Sequence, residues 1–135
     1  MGKKNILIVD DEMDMRIFMS ALFNTSGYQA TATKDGKEGL RKAKEIQPDL
    51  IILDVMMPGE GGVQMYRQLK TDETLKNIPV IMLSAVGKNS FIHYLKMLNV
   101  QLNNSIPYPD AYMEKPPEAD ELLKITGKLI LEKEV

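Results

Sequence analysis

An α/β fold, with five parallel strands covered by helices on both faces, is what this sequence predicts, and three observations carry the prediction. Runs such as Ile6-Leu7-Ile8-Val9 and Leu50-Ile51-Ile52-Leu53 are apolar throughout; a strand buried on both faces reads this way, without polar alternation. Longer segments of helical period separate the runs, and regular alternation of the two marks βα units. The 135 residues fill one ordinary domain and leave no room for a second.

The first strand is expected over Asn5–Val9. Met15, Phe18, Met19 and Leu22 then recur at helical spacing, and Gly27 suits the left-handed residue that ends such a helix. Tyr28–Thr33 alternates, as a strand with one more exposed face would. A basic helix runs from about Asp35 to Gln47 and is stopped by Pro48. Its Lys37, Arg41, Lys42 and Lys44, interspersed with Glu38 and Glu45, read as a solvated side. The third strand, Asp49–Leu53, ends at Asp54. Pro58, Gly59, Gly61 and Gly62 make the segment after Asp54 a loop. Gly62, Met65, Tyr66 and Leu69 line one face of a third helix, and Pro79–Leu83 forms a fourth strand ending at Ser84. Phe91, Tyr94, Leu95, Leu98 and Leu102 keep helical spacing over three turns. Ala111–Met113 is a short last strand, and Leu122, Ile125 and Leu129 mark a terminal helix despite Gly127.

Composition narrows the function. A net charge of −2, with no block of Lys and Arg, argues against direct nucleic-acid binding. The N-terminus runs into a strand without a signal-like apolar stretch, so cytoplasmic residence without membrane binding is expected. Zero cysteines exclude disulfides and thiol catalysis. The ten methionines read as adaptable core filler.

Three carboxylates remain, Asp10, Asp11 and Asp54, each just after an apolar run, and Lys115 follows another such run beside Pro116. In an open parallel sheet, ligands bind beyond the carboxyl ends of the strands. Clustered carboxylates there repel one another unless a hard cation such as Mg2+ joins them, and that ion keeps several waters and accepts phosphate oxygens. A carboxylate so placed can act as nucleophile toward phosphorus, with Lys115 and the Ser84 hydroxyl stabilising the equatorial oxygens. Taken singly, each residue also has a plain reading. Asp10 and Asp11 suit a helix N-terminus, Asp54 a turn, Ser84 a strand end, and Lys115 a solvated surface. His93 falls off the apolar face of its helix and is read as solvated rather than as a phosphodonor or pH sensor.

Ile8-Val9-Asp10-Asp11-Glu12, Leu53-Asp54-Val55-Met56-Met57-Pro58 with Gly62, Ser84-Ala85, and Lys115-Pro116, in this order at successive strand ends, resemble the receiver domains of two-component response regulators over nearly the whole chain. The resemblance implies a single receiver domain over residues 1–135 with a flavodoxin-like, doubly wound three-layer sandwich of strand order 2-1-3-4-5. It implies Asp54 as phospho-acceptor, Mg2+ or Mn2+ held by Asp10, Asp11, Asp54 and the Met56 backbone carbonyl, and Ser84 and Lys115 as ligands of the phosphoryl group. Asp10 would act largely through water. Tyr112 takes the position of the family's aromatic switch, although half-buried packing also explains a tyrosine there, and the Lys115-Pro116 bond is expected to be cis. Implied partners are a sensor histidine kinase or phosphotransfer protein, a downstream protein target, and a second copy of the chain in a phosphorylation-dependent homodimer.

One departure stands out. Ser84 and Lys115 lie 31 positions apart, more than the family's usual spacing by about two helical turns of chain. The extra length is expected in an extended region of about 87–110, with Asn103–Pro109 as an ordered surface excursion, so the family's usual dimer geometry does not carry over. Other functional classes fit less well. A phosphatase or dehalogenase with an aspartyl nucleophile usually has a second carboxylate two positions on, where Met56 stands. A flavodoxin needs a hydroxyl-rich phosphate loop where Asp10-Asp11-Glu12 stands. A pseudo-receiver that only binds would lack part of the acidic set, which is complete here.

Overall fold

The computed structural model describes residues 2–57, 61–102 and 106–134, with the backbone alone at 98–102. In chain order the elements are β1 (Asn5–Val9), α1 (Met13–Thr25), β2 (Gln29–Thr33), α2 (Gly36–Ile46), β3 (Leu50–Asp54), α3 (Gly62–Thr71), β4 (Val80–Ser84), α4 (Lys88–Leu102), β5 (Ala111–Glu114) and α5 (Ala119–Glu134). The strands form one parallel sheet in the order β2-β1-β3-β4-β5, as expected. Strand order therefore reverses between β1 and β3, and the carboxyl ends of both open onto the same edge.

Alternation along the central strands divides the core in two. Ile6, Ile8, Leu50, Ile52, Ile81 and Leu83 pack against α1 and α5, while Leu7, Val9, Ile51, Leu53, Val80 and Met82 pack against α2, α3 and α4. Each of these strand residues is fully buried, which contributes about 1.5–3 kcal/mol per large side chain relative to exposure. Among the described residues no helix is long and apolar enough to cross a membrane.

Helix ends follow local chemistry. Gly27 has φ 92°, the left-handed residue expected after α1. The Tyr28 N–H reaches back to the Phe23 carbonyl at 3.0 Å, and the two rings meet edge to face at 5.7 Å; this is the Schellman closure with its apolar contact. Asp35 caps α2 by accepting the Glu38 N–H at 2.8 Å, and Gln47 takes the left-handed cap position just before Pro48. Asp35 and Gln47 are thus caps rather than helix residues.

Two expectations about helix faces need correction. On α1 the buried residues are Met19 and Phe23, with Met15 and Leu22 partly buried; Phe18 is 38% exposed. The inward stripe is Met15-Met19-Leu22-Phe23, one residue round from the expected face. On α4, Phe91 and Leu95 are buried but Tyr94 is half exposed; the side chains of Leu98 and Leu102 lie outside the described residues. The four residues expected to line α3 are all buried. Residues 103–105 of the expected excursion also lie outside the described residues. Its remainder, 106–109, has no regular structure and is not wholly on the surface, because Ile106 is buried and the Pro107 carbonyl accepts the Tyr66 hydroxyl at 2.8 Å. The Lys115-Pro116 bond is cis.

Candidate functional site

Each end of the central strands delivers one polar side chain to the shared edge. Asp10 is the first residue beyond β1. Its N–H continues the sheet by donating to the Thr33 carbonyl at 3.1 Å, and the residue is 0% exposed. Asp54 is the last residue of β3 and is 3% exposed. Ser84, the last residue of β4, is fully buried, and its carbonyl accepts the Lys115 N–H at 2.9 Å, fastening the chain after β5 beside it. Gly62 opens α3 against this edge: a Cβ there would lie 2.0 Å from the Asp54 carbonyl oxygen, so only glycine permits the approach.

Lys115 draws the site together. Its Nζ lies 2.8 Å from Asp10 Oδ2, 3.1 Å from Asp54 Oδ2 and 2.7 Å from Glu12 Oε1. The other oxygens of the two buried aspartates turn to backbone, Asp10 Oδ1 accepting the Glu12 N–H at 2.9 Å and Asp54 Oδ1 the Met56 N–H at 3.1 Å. Asp10 Oδ2 receives no directed hydrogen bond despite the nearby ammonium, so that contact is ionic rather than a bond along a lone pair. The N-cap position of α1 falls to Glu12, whose side chain makes no capping bond; neither Asp10 nor Asp11 is that cap.

The charges perturb one another. Burial, followed by the charge of Asp10, pushes Asp54 up from the ordinary 3.8 to about 6, against the opposing pull of Lys115 and the Met56 N–H. Burial by itself would lower Lys115, but the carboxylates of Asp10, Glu12 and Asp54 outweigh it and hold the ammonium above its ordinary range. One carboxylate oxygen from each of Asp10, Asp11, Glu12 and Asp54 lies within 4.8 Å of the others. Four acids thus cluster at this edge, and three of them contact Lys115. An all-oxygen donor set, with a buried oxygen that lacks a directed donor, suits a hard divalent cation such as Mg2+.

Ser84 and Tyr112 lie beside this cluster. Ser84 Oγ accepts the Val86 N–H at 3.0 Å, and the Tyr112 hydroxyl donates to the Val86 carbonyl. Burial raises the Tyr112 phenol, with a hydrogen bond to Ser84 opposing the rise. The Tyr112 ring stacks on Phe91, centroids 5.0 Å apart and planes at 20°. Met56 presents an exposed side chain after Asp54. Every site residue singled out in the sequence therefore lies at one edge. Glu12 was assigned no role there, and its signal was its place as the third consecutive acid after a strand. Nothing in the sequence marks the Val86 carbonyl.

Comparison with known proteins gives the family and the fold. Residues 6–126 match the family described as the response regulator receiver domain. The phosphate regulon transcriptional regulatory protein PhoB of Pseudomonas aeruginosa is 33% identical over 124 residues, covering 92% of this chain and 53% of PhoB. The chain thus spans about half the length of that relative. The polar-differentiation response regulator DivK of Brucella ovis is 39% identical over 85 residues, 63% of this chain and 68% of DivK. Among solved structures, the signal receiver domain of a signal transduction histidine kinase from Syntrophus aciditrophicus superposes with a TM-score of 0.80 at 28% identity, covering 96% of this chain and 91% of that one. Chemotaxis protein CheY4 of Vibrio cholerae gives 0.78 at 25% identity, covering 95% and 99%. By fold, by the matched residues and by its relatives, the chain belongs to the response regulator receiver domain family of two-component signal transduction.

Proposed function

We propose that residues 1–135 work as one receiver unit that takes a phosphoryl group from a histidine kinase, or from a phosphotransfer protein, onto Asp54 and thereby changes its affinity for a downstream protein. The observation that carries this reading is the Asp54 carboxylate itself, nearly solvent-free at a strand end, with Oδ2 on Lys115 and Asp10 alongside. An Asp54 oxygen attacks phosphorus, the bond from phosphorus to the donor nitrogen breaks, and the donor imidazole keeps the electron pair. Asp10, Asp11, Asp54 and the Met56 carbonyl are the residues that would hold Mg2+ or Mn2+, which supplies charge neutralisation at the phosphoryl oxygens. Lys115 adds a fixed positive charge, and Ser84 can donate its hydroxyl to a phosphoryl oxygen. Moving Ser84 toward that oxygen would disturb its bond with Val86, and with it the Tyr112 hydroxyl on the Val86 carbonyl. In this reading two arrangements of Ser84 and Tyr112 form the switch.

The donor protein must approach the same edge. Met13, Ile17 and Phe18 are exposed on α1, whose first turn adjoins Glu12, and provide an apolar surface beside the site. The chain acts as a switch that forms and loses its own acyl phosphate, with no separate substrate turned over. Incubation with acetyl phosphate and Mg2+ should retard the protein on a Phos-tag gel, and Asp54→Asn should abolish the shift completely. An unshifted wild type, or steady turnover of p-nitrophenyl phosphate, would sink this reading.

A further inference from the structure

A groove of about 830 Å³ lies between α3 and α4 and reaches the segment after Asp54. Apolar Val55, Val63, Val86, Phe91 and Tyr94 line it together with one cation, Arg67. Arg67 is partly buried, and its guanidinium makes no salt bridge or hydrogen bond among the described residues. No carboxylate lines the groove among those residues either. An apolar concavity of this size falls in the range of roughly 300–1,000 Å³ typical of small-molecule sites, where a few polar groups orient the ligand. A partly desolvated cation that meets no counter-charge among the described residues favours an anion.

The groove is also wired to the acidic edge. Met56, which lines it, donates its N–H to Asp54 Oδ1, and Val86 donates its N–H to Ser84 Oγ. The Val86 carbonyl takes the Tyr112 hydroxyl, and Phe91 stacks on the Tyr112 ring. A ligand touching Val86 and Phe91 therefore touches residues whose positions depend on Ser84 and Tyr112.

We infer that this groove binds a small amphiphilic anion, an apolar body carrying one carboxylate, sulfonate or phosphate that pairs with Arg67, and that its occupancy and the state of Asp54 bias each other. The coupling rests on the reading of Asp54 as acceptor; the binding does not. The probe is 1-anilinonaphthalene-8-sulfonate, titrated by fluorescence into the whole chain, with N-phenyl-1-naphthylamine as its uncharged counterpart. The sulfonate should bind saturably at one site. Arg67→Gln should weaken it roughly tenfold or more, the loss expected for one charge-assisted hydrogen bond. Gln64→Trp, which fills the groove from an exposed lining position, should remove the signal. Cooperative melting of each variant checks its fold. Absence of saturable binding, wild-type affinity in folded Arg67→Gln, or equal binding of the uncharged probe insensitive to Arg67→Gln overturns the inference.

Beryllofluoride with Mg2+ should then change the dissociation constant by about fivefold or more, a usual size for coupling between two sites. An unchanged constant in protein that shifts on a Phos-tag gel with acetyl phosphate overturns the coupling alone. Protein that fails to shift overturns the reading of Asp54 and the coupling with it, while the binding titrations still decide the groove.

Discussion

Asp10 and Asp54 are shut away from water where β1 and β3 end, whereas Asp11 and Glu12, next in the chain after Asp10, face solvent. Lys115 reaches across the divide, and its shortest contact is to the exposed side: 2.7 Å to Glu12 against 2.8 Å to Asp10 and 3.1 Å to Asp54. Distance alone would rank Glu12 first. Burial reverses the ranking, because an exposed ion pair is screened and contributes about 0–1 kcal/mol, while breaking a buried one leaves an uncompensated charge. The buried contacts therefore dominate the energetics of this cluster, and the exposed one adjusts them.

The strongest way to break this contrast is to remove the lysine. Lys115→Met leaves Asp10 and Asp54 facing each other in a water-poor site, and about 3–5 kcal/mol of stability should be lost in metal-free buffer at pH 7. Urea unfolding with and without Mg2+ checks it: the divalent ion should return part of the loss by binding the folded state alone. Wild-type stability in the variant would mean that Lys115 does not compensate the buried charges.

Next comes the backbone that supports the buried pair. In Gly62→Ala the new methyl would meet the Asp54 carbonyl oxygen at 2.0 Å and the Val55 Cα at 2.8 Å. Both are main-chain atoms, so α3 itself must shift, at a cost of roughly 3 kcal/mol. Among the described residues Gly61→Ala meets only the Met57 carbonyl at 3.3 Å, and it should lose well under half as much. Similar unfolding midpoints for the two variants would overturn the assignment of Gly62 to this support.

Titration gives a smaller effect of opposite sense to the usual carboxylate. The folded-state value of Asp54, raised from 3.8 to about 6 by burial and then by Asp10, lies above its unfolded value. The folded chain therefore binds the extra proton between these pH values. Its contribution favours the folded state at low pH and is lost as pH rises from about 4 to about 6, by roughly 2–3 kcal/mol in metal-free buffer. Asp54→Asn lacks this group, so the difference between its unfolding free energy and that of wild type should widen over that window in favour of the variant. A flat difference would show that Lys115 already offsets the burial.

Much of this site was legible because buried strands and their ends leave strong marks. β1 matches its expected bounds since Ile6–Val9 are buried on both faces, and Asp10, Asp54 and Lys115 stand where such runs stop. The face of α1 was not legible. Met15, Met19 and Leu22 belong equally to a stripe through Phe18 and to one through Phe23, and the Phe23–Tyr28 ring contact beyond the helix end favours the second. Tyr94 has the spacing of a core residue but lines the groove beside α3. The link from Ser84 through Val86 to Tyr112 depends on a main-chain carbonyl, which no residue type advertises.

Glu12 should show the smallest effect, and for that reason it sharpens the comparison most. Its side chain is 59% exposed, yet it shares an ammonium with two carboxylates that are almost fully enclosed. Glu12→Gln keeps the shape and a hydrogen-bond acceptor, so unfolding free energy should change by no more than about 1 kcal/mol. Salt should separate it further, because screening at about 0.5 M acts on the exposed contact and hardly reaches the buried ones. The stability gap between wild type and Glu12→Gln should therefore close in high salt, while the larger gap for Lys115→Met persists. If both gaps closed together, the solvent boundary drawn through this acidic cluster would be in the wrong place, and Asp10 and Asp54 would have to be treated as surface charges.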